Sequence, residues 1–369
     1  MENLTIGFIG FGLIGGSIAR ALKVINKDFT LMAYQYHKDK PNTDLDCAIS
    51  DGVLDHVTNS LEVGFPDCDI IFLCAPVLAN ITYLQQLKPL IKPTCILTDV
   101  GSVKGNIHTA VTELDLEKQF IGGHPMTGSE KTGYHNSHAL LLENAYYILT
   151  PTNCVSSEMI HTLYDLVEKF GSLPIVLDAK EHDEITAAIS HVPHIIAAQL
   201  VNLVRESDDQ EEKMRVLAAG GFKDITRIAS SSPTMWQNIC LTNAPSIKRL
   251  LDRYITSLSE VSKALMRMDE DYLYKIFDTA SEYRSSISNK SIGMLKKVFE
   301  IYLDIADEAG AIAIIATLLA SNQISIKNIG IIHNREFEEG VLRIEFYDEV
   351  GATSATTLLK EYNYRVYEK

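Results

Sequence analysis

The first half of the chain repeats one pattern: a short apolar run, a break at glycine or proline, then apolar positions at helical spacing. The apolar runs are Leu4–Ile9, Phe29–Tyr34, Asp69–Pro76, Cys95–Val100, Tyr146–Thr150 and Pro174–Leu177, with helical segments such as Met159–Phe170 between them. Runs that are apolar at nearly every position suit strands covered on both faces, and strands alternating with helices suit a parallel sheet. The pattern therefore predicts an α/β, doubly wound, mostly parallel sheet over residues 1–179. In such sheets ligands bind beyond the carboxyl ends of the strands. Gly10–Gly12, Ala75–Pro76, Asp99–Ser102 and the segment at His124 all follow strands, so they are expected to border one crevice.

After Asp178 the period lengthens to that of helices. A helix is expected over about Glu181–Arg205, kinked by Pro193, whose missing N–H costs roughly 3 kcal/mol inside a helix. Asp183, Ser190 and His194 would share one stripe of it, at offsets of 7 and 11. Two more apolar-striped helices, Ser246–Met268 and Asp271–Ser288, carry no obvious chemistry and read as core and dimer interface. They complete an all-helical domain over 180–297. The last part, 298–369, orders its elements strand-helix-strand-strand-helix-strand, the ferredoxin-like pattern. Its strands are read at Glu300–Ile305, Ile324–Ile332, Val341–Tyr347 and Tyr364–Tyr367. A small open sheet of this kind commonly pairs with a copy of itself.

Composition narrows the partners. At 369 residues, 46% of them hydrophobic and with mean hydropathy near zero, the chain describes a globular protein of two or three domains. Its 33 basic and 48 acidic residues leave a net charge of −15, which argues against nucleic acid and anionic membrane as partners. An anionic substrate would need a local cluster of cations. No apolar run approaches the roughly 20 residues of a membrane span, and the N-terminus lacks the basic start of a signal peptide. The six scattered cysteines form no Cys-x-x-Cys pair and read as reduced core residues of a cytoplasmic protein. No metal is expected.

Three segments carry candidate chemistry. Gly10-Phe11-Gly12-Leu13-Ile14-Gly15 lies between a strand and a helix, the setting in which a glycine fingerprint signals a dinucleotide. Gly10 permits the tight turn, Gly12 lets a pyrophosphate approach the backbone at the helix N-terminus, and Gly15 lets helix and strand pack closely. The second strand should end in an acid to hold the ribose of NAD, but here Gln35 stands, followed by His37 and Lys38. Gln35 can bond a hydroxyl and the two cations could meet a 2′-phosphate, so NAD and NADP both fit. Gly122–Gly133, with four glycines and one proline in twelve residues, reads as a shaped loop presenting His124, Thr127, Ser129, Glu130 and Lys131. Finally, after Gly220 and Gly221, Lys223 and Arg227 fall four apart on one helical face. Arg227 offers the planar fork that suits a carboxylate, and this pair is the cationic cluster an anionic substrate demands.

In order, Gly10–Gly15, Asp99-Val100-Gly101-Ser102-Val103-Lys104, Gly123–Lys131, Ser190-His191-Val192-Pro193-His194 and Gly221–Arg227 resemble the prephenate dehydrogenase family followed by an ACT domain. The resemblance covers essentially the whole chain, and Gln35 is its clearest departure. It implies a Rossmann-type domain, a helical dimerisation domain, an ACT domain and a cytoplasmic homodimer. It implies NAD-dependent oxidative decarboxylation of prephenate, with L-tyrosine as effector. His124 would take the ring-hydroxyl proton, and Ser102 would bond that hydroxyl or orient His124. Arg227, Lys223 and His194 would hold carboxylates, with Ser129, Glu130 and Ser190 shaping the pocket. Gly10, Gly12, Leu13, Ile14, Gly15, Gln35, Ala75, Pro76 and Gly101 would hold the cofactor. Asp183 and Trp236 would line the entrance, and Glu308–Ala311 with Asn328 would form the effector site. Arogenate dehydrogenase is the nearest alternative and a non-catalytic dinucleotide sensor the more distant one. A 3-hydroxyacid dehydrogenase would place a lysine where the helix has Ser190, His191 and His194.

Overall fold

The structure is a computed structural model that describes residues 3–36, 42–128, 131–288, 299–305, 308–332 and 340–368. The chain forms two compact units, Met1–Arg267 and Met268–Lys369.

In the first unit, β1 (Thr5–Ile9), β2 (Thr30–Tyr34), β3 (His56–Thr58), β4 (Ile70–Leu73) and β5 (Ile96–Asp99) form a parallel sheet in the order β3-β2-β1-β4-β5. The chain winds outward from β1 to β3 and then crosses back to β4. The switch point thus lies between β1 and β4, where such folds open a ligand crevice. One core layer gathers Phe8, Ile18, Leu22, Phe72 and Tyr147; the other gathers Ile9, Phe65, Leu73, Leu97 and Phe120. Burial on both faces explains why these strands are uniformly apolar.

Gly10 follows β1 at φ +87°, and a Cβ there would lie 2.5 Å from the backbone nitrogen of Ala75. Glycine is thus required both by conformation and by the approach of the neighbouring turn. Gly10→Ala is expected to cost about 2 kcal/mol or more, read as a lower thermal midpoint. An unchanged midpoint would refute this reading of the turn.

Beyond β5 the sequence reading needs correction. Gly122 and Gly123 open no loop; they lie on β6 (Ile121–Pro125), bridged to β5 between Leu97 and Phe120. β6 runs antiparallel to β7 (Tyr146–Pro151), which is parallel to β8 (Leu173–Val176). His124 therefore stands on a strand, opposite Ile148. A Cβ on Gly123 would meet the Asp99 carbonyl oxygen at 2.5 Å, so the glycines serve close packing rather than a turn.

The helix expected at Glu181–Arg205 is a continuous run, Ala179–Ser207, interrupted by a π turn at Ala187–His191. Pro193 falls in the first turn after it, where the missing N–H is tolerated. The π turn shifts the register, so the stripe of Asp183, Ser190 and His194 is not kept. Asp183 bonds to Lys104, whereas His194 stacks on Trp236. By length and apolar composition alone these 29 residues would suffice to cross a membrane, contrary to the sequence expectation. They nonetheless hold His182, Asp183 and His191 buried against polar partners of the same unit. Gly220 and Gly221 are the first residues of the helix Gly220–Thr226, and Arg227 begins a separate 3-10 turn, so Lys223 and Arg227 do not lie on one regular helix. Among the cysteines, Cys68 and Cys95 are buried but Cys154 is exposed.

In the second unit, β9 (Phe299–Ile305), β10 (Ile326–Ile332), β11 (Gly340–Phe346) and β12 (Val366–Glu368) form an antiparallel sheet ordered β10-β11-β9-β12. Helices Ala311–Ser321 and Glu349–Glu361 cover it through Ile315, Leu319, Ala355 and Leu359.

Candidate active site

The site begins with a buried ion pair at the end of β5. Asp99 and Lys104 are both fully buried, and the Lys104 ammonium lies 2.5 Å from the Asp99 carboxylate. That carboxylate also accepts the N–H of Gly101 at 2.9 Å and of Gly123 at 3.1 Å. Lys104 donates in turn to the Gly123 carbonyl at 2.8 Å. Both backbone groups of Gly123 are therefore held, and the residue after it is His124. Burial pulls the Lys104 ammonium below its ordinary pKa, against the pull of Asp99.

His124 is half-buried, with Nδ1 2.8 Å from Nε2 of His182. The Nδ1 of His182 is 2.8 Å from Oδ1 of Asp183. Asp183 is buried rather than at an entrance. Its carboxylate accepts the N–H groups of Lys104 and Gly105, both at 2.8 Å, and so caps the helix Gly105–Glu113. Asn243 donates to the Asp183 carbonyl at 2.8 Å and lies 3.2 Å from Nδ1 of His191. Burial, with His182, Lys104 and His191 nearby, holds the His124 imidazole well below the ordinary histidine range. Burial likewise pushes His191 down to about 4. His124 is consequently neutral at pH 7, the state a proton acceptor needs.

Ser102 is half-buried in the turn between Asp99 and Lys104. His194 stacks on Trp236 with ring centroids 3.7 Å apart and bonds the backbone of Ile228; burial lowers its pKa and the neighbouring Arg227 lowers it further. Arg227 and Lys223 are exposed on elements packed against the helix Val192–Ser207, and Ser190 is half-buried in the π turn. Ser129 and Glu130 lie outside the described residues, as do His37 and Lys38.

The dinucleotide fingerprint fits a cofactor. Gly12 ends the turn as the N-cap of Leu13–Ile25, and a Cβ there would meet nothing within 4 Å, which leaves room at the helix N-terminus. A Cβ on Gly15 would lie 2.8 Å from the Gly10 carbonyl, so that helix sits tight on the turn. Ala75 and Pro76 lead from β4 into the helix Val77–Leu87. Asn80 braces their turn by donating to the carbonyls of Leu73 and Ala75. A Cβ on Gly101 would touch Val77 at 3.0 Å, so the turns after β4 and β5 adjoin, as those after β1 and β4 do at Gly10. Gln35 follows β2, its N–H bonded to the Thr58 carbonyl.

Sequence reasoning missed His182, Asn243 and the roles of Lys104 and Asp99. The only signals were the adjacent His182-Asp183 pair just inside a helix capped by Asp178, and the five-residue spacing of Asp99 and Lys104.

Residues 18–176 match the family "Prephenate dehydrogenase, nucleotide-binding domain", and residues 178–279 match "Prephenate dehydrogenase, dimerization domain". The chain is 35% identical to the prephenate dehydrogenase of Bacillus subtilis over 347 residues, 94% of this chain and 92% of the relative. It is 33% identical to the cyclohexadienyl dehydrogenase of Zymomonas mobilis over 284 residues, 76% of this chain and 95% of the relative. The crystal structure of Aquifex aeolicus prephenate dehydrogenase with hydroxyphenyl propionate and NAD+ superposes with a TM-score of 0.71 at 28% identity. It covers 78% of this chain and 99% of its own. Extended identity to curated members, two consecutive domain matches and the shared fold agree: the chain belongs to the prephenate dehydrogenase family.

Proposed function

We propose that this chain catalyses the oxidative decarboxylation of prephenate to 4-hydroxyphenylpyruvate with NAD. The observation that carries the reading is a neutral, doubly anchored His124 beside the strand ends that adjoin the dinucleotide fingerprint. NAD would be held by Gly10, Gly12, Leu13, Ile14 and Gly15 at its pyrophosphate, by Gln35 at a ribose, and by Ala75, Pro76 and Gly101 at the neighbouring turns. When bound, it supplies the acceptor for the hydride.

His124 accepts the proton of the ring hydroxyl, and Ser102, two residues short of the fixed Lys104, bonds that hydroxyl. Arg227 grips a carboxylate, with Lys223 and His194 beside it, in a chain otherwise rich in negative charge. Loss of carbon dioxide aromatises the ring, so the protein's task is mainly positioning. Ser129, Glu130 and Ser190 complete the pocket in this reading. NAD and prephenate should yield reduced cofactor in the purified enzyme; no turnover with either NAD or NADP would refute the activity. Similarity to the structure of Synechocystis arogenate dehydrogenase supports a second substrate, arogenate, and parallel rates on the two substrates decide between them.

The acid limb of kcat/KM should lie below pH 6.5. The base must be neutral, its pKa is depressed in the folded enzyme, and activity is therefore retained until pH falls through that depressed value. A limb at or above 6.5 in a pH–rate profile would contradict the assignment.

The second unit has the element order and antiparallel sheet that an ACT domain requires, with Gly310 at φ +95° in the turn before its first helix. This supports L-tyrosine as an effector near Glu308–Ala311 and Asn328, checked by adding tyrosine to the same assay. Exposed Ile255, Leu258 and Leu265 on the helix Ala244–Arg267 support a homodimer.

A further inference from the structure

We propose that His182 and Asp183 are positioning residues that hold His124 in one tautomer, with its proton on Nδ1 and its lone pair on Nε2. They also take up the charge His124 acquires on accepting the substrate's proton. This rests on the reading of His124 as the base.

The assignment follows from what each group can do. An ionised carboxylate only accepts hydrogen bonds. Asp183 already accepts two backbone N–H groups, from Lys104 to Oδ1 and from Gly105 to Oδ2, which fix its orientation. The third partner, Nδ1 of His182 at 2.8 Å from Oδ1, must therefore carry a proton. A neutral imidazole protonated at Nδ1 has only an acceptor at Nε2. The partner of that Nε2, at 2.8 Å, is Nδ1 of His124, which must donate. The single proton of His124 is then committed to the interior, and Nε2 is left as the basic nitrogen. Reversing the rings would set the lone pair of His182 Nδ1 against the carboxylate at 2.8 Å.

The charge argument runs the same way. His124 is crowded by the Lys104 ammonium from the turn after β5 and by the His191 ring from the π turn. Both burial and Lys104 oppose a positive charge on His124. Among the described residues the anion in direct line is Asp183, reached through the fully buried His182 ring. When the hydroxyl O–H breaks and a bond forms between that proton and His124 Nε2, the Nδ1 proton can shift to Nε2 of His182. The positive charge then sits beside Asp183, which stays unprotonated throughout. Asp183 thus ties strand β6, the helix Ala179–Thr186 and the helix Gly105–Glu113 to one proton position.

The test uses full-length enzyme labelled with 15N-histidine, with NAD affinity measured for every variant as a check on the fold. In the unmodified enzyme, 15N correlation spectra should show a protonated Nδ1 and an unprotonated Nε2 at His124, assigned by loss of those signals in His124→Asn. In Asp183→Asn the side-chain carbonyl can still accept from the Lys104 N–H and from Nδ1 of His182, but the anion that takes up the positive charge is lost and the amide NH2 is set against the Gly105 N–H. The kcat of this variant should fall by about 10³-fold or more, with KM for prephenate changed less than about threefold. His182→Phe should lose at least about tenfold in kcat, and His182→Gln, whose carbonyl can accept from Nδ1, should recover part of it. A proton on Nε2 of His124 in the unmodified enzyme would overturn the proposal. So would wild-type kcat in both Asp183→Asn and His182→Phe. Should Asp183→Asn fail to fold, the spectrum of the unmodified enzyme and the His182 pair still decide. Full turnover by His124→Asn would instead overturn the base assignment, while leaving the tautomer itself measured.

Discussion

His124→Asn is expected to lower kcat by about 10³-fold, with KM for prephenate within a few fold of its original value and NAD affinity unchanged. The size follows from the role. A positioned base contributes about 10²- to 10⁴-fold, and 10³-fold corresponds to about 4 kcal/mol of transition-state stabilisation. Asparagine isolates that role, because its amide can still donate to Nε2 of His182, where Nδ1 of His124 lies at 2.8 Å. The buried hydrogen-bond chain to Asp183 is thereby kept while the titrating nitrogen is removed. The carboxylate binding proposed for Arg227, Lys223 and His194 does not depend on this ring, so KM should hold. The acid limb of the pH–rate profile should vanish with the group that causes it. Steady-state kinetics across pH 5 to 9 would check this, and a kcat within tenfold of the original would remove His124 from the chemistry.

Much of this architecture was legible because particular residues admit few alternatives. Gly10 sits at a positive φ with the Ala75 backbone against it, so the fingerprint is a statement about geometry as well as composition. Parallel strands buried on both faces leave apolar runs that resemble nothing exposed, which is why β1 and β5 could be placed to within a residue, while the run read for β4 overran its end by three. The strand carrying His124 could not be placed. Gly122, Gly123 and Pro125 favour a turn by local propensity, and only the approach of the Asp99 carbonyl, distant in sequence, requires a glycine-bearing strand there. His182 was illegible for a similar reason. On a helix it is one polar residue among Lys180, Glu181, Asp183 and Glu184, and its partner lies 58 positions away. The π turn leaves no mark in a count at 3.6 residues per turn; Pro193 showed only that something there departs from a regular helix.

The largest stability effect is expected from Lys104→Met. Methionine fills much of the space but removes the ammonium 2.5 Å from Asp99, leaving a fully buried carboxylate supported by two backbone N–H groups alone. Breaking one side of a buried pair costs about 3–5 kcal/mol, chiefly because the remaining charge is uncompensated. The Gly123 carbonyl also loses its donor, which adds about 1–3 kcal/mol where no water can replace it. A drop in thermal midpoint of about 10 °C follows for a unit of this size. The double variant Lys104→Met with Asp99→Asn should recover part of the loss, since a neutral amide is far cheaper to bury and can still accept from Gly101 and Gly123. Activity should fall in both, because Gly123 fixes the backbone on which His124 stands. Thermal unfolding of the single and double variants decides the matter. If the double variant were less stable than the single one, the uncompensated charge would not be the cause, and packing around the lysine stem would have to be.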